Sequence, residues 1–375
     1  MENKNENNSS IIPIGSTGLV RVGNTLAVTN KILTELSKRV QYIRIGCQEW
    51  ASANLLVKEF RNGDPIPMIN SNEEWSKLKT PAYCHYNNDR ENEEKYGLLY
   101  NWYAVNDFRE LAPKNWEIAS EIDWSILNHF LGLSEAGKIL KSKSIWETKS
   151  KGLDSFKFNG IPSGYRDYNG EFDYLGVNGY FWTKTENDEK TAWARGLNAS
   201  KDTIGVYDYE KEGGMAVRCV RKVMNNNNEM SYSLLEKAKD LWNKKDYINS
   251  IKMATQAIEL NPGYQEAYYQ RGLSYQYSDN QQEAIFNYNL SIYLNETYEA
   301  FYNRAFCKQR LWDFSGAIED YTKSILLNPN IGGSYYNRGR AKFEFKDYEG
   351  ARSDYNTAIQ LDENLKRLTN YLDLI

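Results

Sequence analysis

The second half of the chain repeats a pattern of small and aromatic positions every 33 or 34 residues. The first series of small residues is Ala238, Gly272, Ala305 and Gly339, and the second, twelve residues on, is Ser250, Ala284, Ala317 and Ala351. Aromatic residues stand four positions beyond the second series, at Tyr288, Tyr321 and Tyr355. Small residues at helical spacing let two antiparallel helices approach closely, and large residues fill the remaining space. The pattern predicts four helix pairs over about 231–361, closed by a polar-faced final helix.

The first half, about 41–223, has short apolar runs separated by glycine and polar residues, which is typical of strands and turns. One amphipathic helix is predicted to begin after Ser120, because the Ser120 and Asp123 side chains can cap each other's main chain. Trp124, Leu127, Phe130 and Leu131 would share its apolar face. A shorter helix is predicted in AGKILKSKSIW, and another in EKYGLLYNWYAVND.

Turn signals predict hairpins in the same half. Asn169-Gly170 predicts a type I′ turn, in which both residues have positive φ. YFWTKT and AWARGLN are predicted strands joined by ENDEKT, and TIGVYDY and MAVRCVRK are predicted to form another hairpin. The first half is therefore expected to be α+β, and the asparagine run within 224–230 is expected to be a linker.

Charge and reactive residues argue against several classes of function. The net charge is only −4, so neither a nucleic-acid nor a membrane partner is expected. The four cysteines and two histidines show no metal-ligand spacing, and no phosphate loop or nucleophile–base pair is evident. The expectation is a non-enzyme without metal or cofactor. The N-terminus shows no secretory signal and no apolar run is long enough for a membrane span, which predicts a cytoplasmic protein with reduced thiols.

The helical repeat resembles the tetratricopeptide repeat, with four units over about 231–361. The resemblance implies a solenoid whose first helices line a concave groove for a peptide or protein partner. The residue three before each first small position would face that groove, with its neighbour beside it. The resulting partner-binding candidates are Tyr269, Tyr302, Asn303, Tyr336 and Asn337. The alternative is that these tyrosines only pack between units. The clamp that one subtype uses for an acidic C-terminus is not expected, because Leu235 and Lys239 replace its lysine and asparagine.

The first half resembles a second family through the order of its short motifs. IGCQEWASANL, YCHYNND, EKYGLLYNWYAV, APKNWEIASEIDW, IPSGYRDYNGEF, GYFWTKTE and AVRCVRK follow the order and spacing of the Fibrobacter major paralogous domain (FISUMP). The resemblance covers about 43–222 and implies a C-type-lectin-like fold, alongside the formylglycine-generating enzymes. Where members often have a cysteine, this chain has Ala112, so Cys219 lacks the partner that the family implies. The family has no established chemistry. Neither the paired cysteines of the oxidases nor the calcium tripeptides of the sugar-binding relatives are present.

Tyrosine, tryptophan and arginine are the usual anchors of protein interfaces, and the looped part of the first half is rich in them. In lectin-like folds this part of the chain carries the ligand loops. The candidates for a second partner-binding surface are Tyr165, Arg166, Tyr168, Tyr174, Tyr180, Trp193, Arg195, Tyr207 and Tyr209. The alternative for each of them is a buried structural role.

Together these patterns predict a multidomain chain. Its parts are an α+β C-type-lectin-like domain (41–223), an Asn-rich linker (224–230) and an all-α tetratricopeptide solenoid with a C-terminal capping helix (231–375). Residues 1–40 resemble a segment that precedes unrelated modules in bacterial proteins, which implies a docking tag; the alternative is an extension packed on the lectin-like domain. The predicted function is that of a non-enzymatic adaptor. Two other hypotheses stay open: a receptor for a small ligand or glycan, and a divergent enzyme of the formylglycine-generating group.

Overall fold

A computed structural model describes residues 11–13, 19–21, 40–147 and 152–368. From residue 40 onward they divide into two compact units, a β-rich one (40–44 and 50–220) and a helical one (45–49 and 221–368). β1 (Ile11–Pro13) and β2 (Leu19–Arg21) pair antiparallel. Most of residues 1–40, the predicted docking tag, lie outside the described residues, so the docking tag stays a prediction.

The strands from residue 42 onward are mostly short. They are β3 (Tyr42–Ile45), β4 (Gln48–Ala51), β5 (Tyr83–Cys84), β6 (Leu99–Tyr100), β7 (Glu117–Ile118), β8 (Ser163–Arg166), β9 (Phe172–Leu175), β10 (Asn178–Glu186), β11 (Thr191–Asn198), β12 (Ile204–Glu210), β13 (Ala216–Val217) and β14 (Cys219–Lys222). The largest sheet runs β12-β11-β10-β8-β9, with β13 also paired to β10. A second sheet has the order β3-β4-β14-β7, and β5 pairs with β6.

The helices of the β-rich unit are also short. They are α1 (Asn72–Trp75), α2 (Asn92–Tyr96), α3 (Trp102–Val105), α4 (Glu121–Phe130) and α5 (Ala136–Leu140). The predicted capping box of α4 is confirmed, because Ser120 and Asp123 each accept from the other's main-chain N–H. Trp124, Leu127 and Leu131 of the predicted apolar face are buried. The prediction is wrong at Phe130, which is 53% exposed, because α4 ends there. The single helix predicted over 94–107 is also wrong, since Gly97 ends α2 with φ +84° and β6 precedes α3.

The hairpin at Asn169-Gly170 forms between β8 and β9, but the predicted type I′ turn is wrong. Gly170 has φ +91°, whereas Asn169 is not among the residues with positive φ. The Gly170 N–H donates to the Asp167 carbonyl at 2.9 Å, and the Asp167 N–H donates to the Glu171 carbonyl at 2.7 Å. These bonds define a three-residue hairpin loop with a glycine bulge.

The strands predicted on either side of ENDEKT pair as β10 and β11. The hairpin predicted between TIGVYDY and MAVRCVRK is wrong. β12 pairs with β11, β13 runs parallel to β10, and β14 pairs with β7. The reason is that Gly214 and Met215 hydrogen-bond to Arg166 and Tyr100, which directs the chain away from β12.

An aromatic core fills the β-rich unit. Trp50 and Trp124 are fully buried with ring centroids 5.0 Å apart, and Phe158 and Phe181 pack edge-on or tilted against them. Edge-to-face contacts of this kind add to the burial energy of large rings. This core supports α4 against one face of the largest sheet. On the other face, Trp182 and Tyr165 belong to a second buried cluster, and Tyr180 and Tyr209 pack at its border.

A buried arginine ties loops to this core. The Arg218 guanidinium, fully buried, donates to the carbonyls of Ala51 and Phe158 at 2.8 Å and of Asn159 at 2.9 Å. It also donates to Asn54 Oδ1 at 2.8 Å. Burial lowers the pKa of Arg218 to about 9, and its hydrogen bonds to neutral oxygens replace the water it has lost.

The helical unit consists of antiparallel helix pairs, as the repeat predicts. Repeat 1 is α6 (Glu229–Asn243) and α7 (Tyr247–Leu260), repeat 2 is α8 (Gln265–Tyr277) and α9 (Gln281–Leu294), repeat 3 is α10 (Tyr298–Arg310) and α11 (Phe314–Leu327), and repeat 4 is α12 (Gly332–Glu344) and α13 (Tyr348–Leu361). The small positions pack as expected: a Cβ on Gly272 or Gly339 would stand under 3.0 Å from the ring of Tyr288 or Tyr355.

The turn inside every pair has the same chemistry. A residue with positive φ comes first, and an aspartate or asparagine then caps the second helix by accepting from the main-chain N–H three residues on. The positive-φ residues are Lys245, Asp279, Trp312 and Lys346, and the caps are Asp246, Asn280, Asp313 and Asp347.

The ends of the helical unit depart from the predicted boundaries in detail. α6 begins at Glu229, capped by Asn228, so the last part of the predicted linker is helical. Asn225 Oδ1 accepts from the Asn261 side chain at 2.8 Å. This bond attaches the asparagine run before α6 to the end of α7. After α13, Glu363–Leu368 form a 3₁₀ helix, and the rest of the predicted capping helix lies outside the described residues. No helix in the described part of the chain is long and apolar enough to cross a membrane.

Candidate functional site

The predicted groove tyrosines form a hydrogen-bonded series that we call the tyrosine ladder: Tyr269, Tyr302 and Tyr336. The Asn303 amide of repeat 3 donates to the Tyr269 hydroxyl of repeat 2 at 2.9 Å. The Asn337 amide of repeat 4 donates in the same way to Tyr302 of repeat 3 at 2.7 Å. Each asparagine therefore connects its own repeat to the tyrosine of the repeat before it.

The ladder rings also pack inside their own repeats. Tyr269 lies 5.8 Å from Tyr288, Tyr302 lies 5.7 Å from Tyr321, and Tyr336 lies 5.9 Å from Tyr355. Each ladder tyrosine is half-buried, so one part of the ring packs and the other part faces solvent. Burial raises the pKa of Tyr302, while the hydrogen bond from Asn337 acts in the opposite direction. The Tyr269 and Tyr302 hydroxyls are therefore neutral and accept from the asparagines, and the exposed parts of the ladder rings are what a partner could contact.

The hydrogen bond that joins neighbouring repeats in the ladder is absent between repeats 1 and 2. Leu235 holds the tyrosine position of repeat 1 and is fully buried. Gln270, at the asparagine position of repeat 2, is 5% exposed, and its Nε2 has no hydrogen-bond partner among the described residues. The missing hydroxyl explains the orphaned amide, because the equivalent amides of Asn303 and Asn337 both use one.

A second periodic contact joins the two helices within repeats 3 and 4. Arg304 donates to both oxygens of Asp320, at 2.7 and 2.6 Å, and Arg338 does the same to Asp354, at 2.8 and 2.6 Å. In repeat 2 the partner position is Asn287, whose Oδ1 accepts from Arg271 at 2.6 Å. Burial lowers the pKa of Arg271. The pairs are 16 residues apart in every case, a spacing that sequence reasoning could have found.

The β-rich unit gathers five tyrosines into what we call the tyrosine patch: Tyr165, Tyr174, Tyr180, Tyr207 and Tyr209. Tyr165 is its centre, with ring centroids 6.0 Å from Tyr174, 5.2 Å from Tyr180 and 5.3 Å from Tyr209. Tyr180 then contacts Tyr207 at 5.4 Å. Tyr165 is 7% exposed, so the expectation that it lies at the surface is wrong; the rings of its neighbours cover it. Tyr174 is 50% exposed, and the other three are half-buried. The patch therefore has a buried base and an exposed aromatic surface.

Strand register explains why these rings share a face. Tyr180 of β10 lies opposite Gly196 of β11, which lies opposite Gly205 of β12. A Cβ at Gly196 or Gly205 would stand 2.7 or 2.5 Å from the Tyr207 ring, so only glycine leaves room for that ring. Asn178 fixes the Tyr180 hydroxyl with a hydrogen bond of 2.9 Å. Burial raises the pKa of Tyr180 to about 12 and also raises that of Tyr209.

Several predicted surface residues lie elsewhere. Arg166 is fully buried and donates to the carbonyls of Ile69, Asn70 and Gly170, so its guanidinium is not available at the surface. Arg195 is 6% exposed and forms an ion pair with Glu121 at the start of α4. The expectation of exposed side chains at these two positions is wrong. The Arg166 N–H groups are used by loop carbonyls, and those of Arg195 by the Glu121 carboxylate.

The remaining predicted surface residues lie outside the patch. Trp193 lies on the Arg195 face of β11, opposite to the patch, because the two residues are two apart in one strand. Tyr168 is 50% exposed, in the loop between β8 and β9. The role of these residues in binding a partner stays a prediction.

Several titratable groups outside these surfaces are paired or buried. The Lys58 ammonium and His85 hold the pKa of Glu93 below its usual value, and His85 Nε2 lies 2.8 Å from Glu93. Burial raises the pKa values of Cys84, Cys219 and Cys307 to about 12, which suppresses their thiolates at neutral pH. In the described part of the chain, no three His, Cys, Asp or Glu side chains are grouped to hold a metal ion.

Comparison with protein families assigns both units. Residues 43–221 match the family described as Fibrobacter succinogenes major domain, and residues 265–298 and 332–365 match the tetratricopeptide repeat. The chain carries a Fibrobacter succinogenes major domain followed by tetratricopeptide repeats. The family matches name repeats 2 and 4, and the helix pairs, small positions and turn chemistry extend the same architecture to repeats 1 and 3.

Curated relatives resemble only a part of the chain. Serine/threonine-protein phosphatase 5 of Mus musculus is 36% identical over 98 residues, which is 26% of this chain and 20% of the relative. The Homo sapiens protein is 34% identical over the same length. The chain thus spans about a fifth of these relatives, and the shared part falls in the tetratricopeptide repeats.

Solved structures give partial matches of the same kind. A crystal structure of MamA is 19% identical, with a TM-score of 0.34 over 35% of this chain and 77% of that one. YrrB, described as a tetratricopeptide protein with an unusual peptide-binding site, is 19% identical with a TM-score of 0.34, over 36% and 71%. The first such domain of Spaghetti (RPAP3), bound to an HSP90 peptide, is 19% identical with a TM-score of 0.32, over 32% and 96%.

Proposed function

We propose that the chain is a non-enzymatic adaptor. Its tetratricopeptide groove binds an extended segment of a protein partner, and the tyrosine patch of its major domain presents a second binding surface. A C-type-lectin-like fold for residues 41–223 belongs to the same proposal and rests on the order of the short motifs there. Neither nucleic acid nor a membrane is a partner in this proposal.

One observation carries the groove assignment. The tyrosine ladder places one half-exposed ring in each of three successive repeats, with its hydroxyl already held by an asparagine in two of them. A ring whose orientation is fixed before binding loses little conformational freedom when a partner covers it. Aromatic side chains held in this way are typical interface hot spots.

The test selects peptides from a random library displayed on phage against the full chain. The selected peptides are then titrated against Tyr302→Ala, and the exposed Tyr348→Ala on α13 serves as the matched control. We expect Tyr302→Ala to weaken binding at least roughly tenfold, the loss of a typical hot spot. Tyr348→Ala should bind like the unmodified chain.

Melting followed by circular dichroism separates binding from folding. If Tyr302→Ala lowers the melting temperature sharply while the affinity of the folded fraction is unchanged, the ladder is purely structural and the groove assignment fails.

A further inference from the structure

The tyrosine patch is bordered by carboxylates. Asp173 lies opposite Tyr165 in the register of β8 and β9, and Asp167 accepts from the Tyr209 hydroxyl at 3.4 Å. Glu210 follows Tyr209 at the end of β12. None of these three carboxylates forms an ion pair with another described residue. The negative charges of Asp167 and Asp173 add to burial in raising the pKa of Tyr165, so they lie close enough to act on the patch.

The cations of the same sheet are engaged elsewhere. Arg166 donates to loop carbonyls, Arg195 pairs with Glu121, and Lys211 pairs with Glu186. The patch therefore combines the electron-rich faces of tyrosine rings with carboxylates that form no ion pair in the described part of the chain. Both features attract a cation, and neither attracts an anion.

Backbone strain gives a second, independent observation at the same place. Tyr174 has φ +62°, in the left-handed region that bulky side chains rarely adopt, and lies near Gly164, which also has φ +62°. This conformation places the Tyr174 ring on Tyr165, nearly parallel at 17°, although Asp173 is the residue whose Cα lies opposite Tyr165. Strained residues of this kind concentrate at binding sites. Here the strain holds a half-exposed ring above the buried base of the patch.

We propose that the tyrosine patch binds the guanidinium of an arginine side chain on a partner protein. The planar group stacks on the exposed Tyr174 ring while its N–H donors face the neighbouring carboxylates, which a compact lysine ammonium does less well. This inference rests on the proposed second binding surface and names the chemistry that the surface recognises.

The test uses the full chain and a fluorescein-labelled peptide of alternating glycine and serine that carries two arginines. The same peptide with citrulline in place of arginine keeps the shape and removes the charge, and a lysine version tests ammonium. Fluorescence anisotropy at low ionic strength should show saturable binding of the arginine peptide, at least roughly threefold weaker binding of the lysine peptide, and none of the citrulline peptide. Added salt should weaken the arginine peptide's binding.

Variants locate the site. Tyr174→Ala should weaken the arginine peptide at least roughly tenfold, and Asp173→Asn roughly threefold. Tyr168→Ala is the matched control, because Tyr168 is also 50% exposed but lies outside the patch. Tyr174→Gly removes the ring and relieves the strained φ, so it keeps the test valid if the alanine variant does not fold.

Three results would overturn the proposal: equal binding of the citrulline peptide, no binding of the arginine peptide, or an equal loss in Tyr168→Ala. If library peptides without arginine bind and lose affinity in Tyr174→Gly, the patch is a binding surface for another chemistry. The arginine proposal then fails while the proposed function stands. If neither probe responds to patch variants, the second binding surface fails as well.

Discussion

The partly buried arginines of the helical unit and the fully buried arginines of the β-rich unit have different partners. In the tetratricopeptide array, Arg304 and Arg338 meet carboxylates on the second helix of the same repeat. In the major domain, Arg218 and Arg166 meet main-chain carbonyls of loops. Helices satisfy their own carbonyls, so a buried cation between helices needs a carboxylate, whereas a much-looped fold leaves carbonyls that need donors.

The acceptors of the loop arginines are mostly main-chain carbonyls, which no second substitution can remove. We therefore expect that replacing such an arginine cannot be compensated by changing its partner. Arg218→Leu leaves three main-chain carbonyls and Asn54 Oδ1 without their donor in the core. We expect a loss of about 3 kcal/mol or more in the free energy of unfolding, because each unsatisfied buried acceptor costs about 1–3 kcal/mol. Urea unfolding followed by tryptophan fluorescence measures it. Arg218→Lys, which keeps the charge but not the fork, should recover only a small part.

The arginine–aspartate pairs should behave in the opposite way. Arg338→Met alone leaves Asp354 buried with only Lys342, and we expect a loss of about 2 kcal/mol. Adding Asp354→Leu should restore part of that loss, because removing both partners of a buried pair is close to neutral. A double-mutant cycle by urea unfolding gives the coupling. If the double variant loses more free energy of unfolding than the two single variants together, the contrast with Arg218 is contradicted.

Repeat 2 offers a natural variant of the same pair. Asn287→Asp restores the carboxylate that repeats 3 and 4 have opposite their arginine, and should stabilise the array by about 1 kcal/mol, the difference between a neutral and a charged hydrogen bond. The gain should shrink as the pH falls below about 4, the usual pKa of an unfolded aspartate, because the unfolded chain then binds the proton before the paired carboxylate does. The same substitution in an Arg271→Met background controls for added charge alone, because the new carboxylate then has no arginine opposite it.

The smallest expected change in stability concerns the unpaired amide of Gln270. Gln270→Met keeps the shape of the side chain and removes a buried donor without a partner, so we expect a gain of up to about 1 kcal/mol. Asn303→Leu, at the equivalent position of repeat 3, removes an amide that is bonded to Tyr269 and should instead be destabilising. Thermal melting of the two variants side by side checks the opposite signs, and two losses would mean that Gln270 does have a partner.

The helical unit could be predicted closely from sequence because its packing repeats. Small residues in register located all the helix pairs, and the register also placed the ladder tyrosines and their asparagines. It did not reveal that Asn303 and Asn337 bond back to the previous repeat, since that requires the distance between two helices.

The β-rich unit was predicted less completely because its contacts occur once. The capping box of α4 and the pairing of β10 with β11 depend on neighbouring residues and were found. The positions of β12 and β13, and the burial of Arg166 and Arg195, depend on partners far along the chain, and no local pattern encodes them. The five tyrosines of the patch were all named as surface candidates, but not the glycines at 196 and 205 that give Tyr207 room.

The hydrogen bond that Leu235 cannot accept also determines which part of the array unfolds locally first. The stability of a linear repeat protein is a sum of each repeat's own folding free energy and its coupling to the next. The ladder hydrogen bonds add coupling between repeats 2 and 3 and between repeats 3 and 4. Leu235 has no hydroxyl, so this hydrogen bond is absent between repeats 1 and 2. Local opening therefore starts at α6 and α7, whose amide hydrogens exchange with solvent before those of α10 to α13.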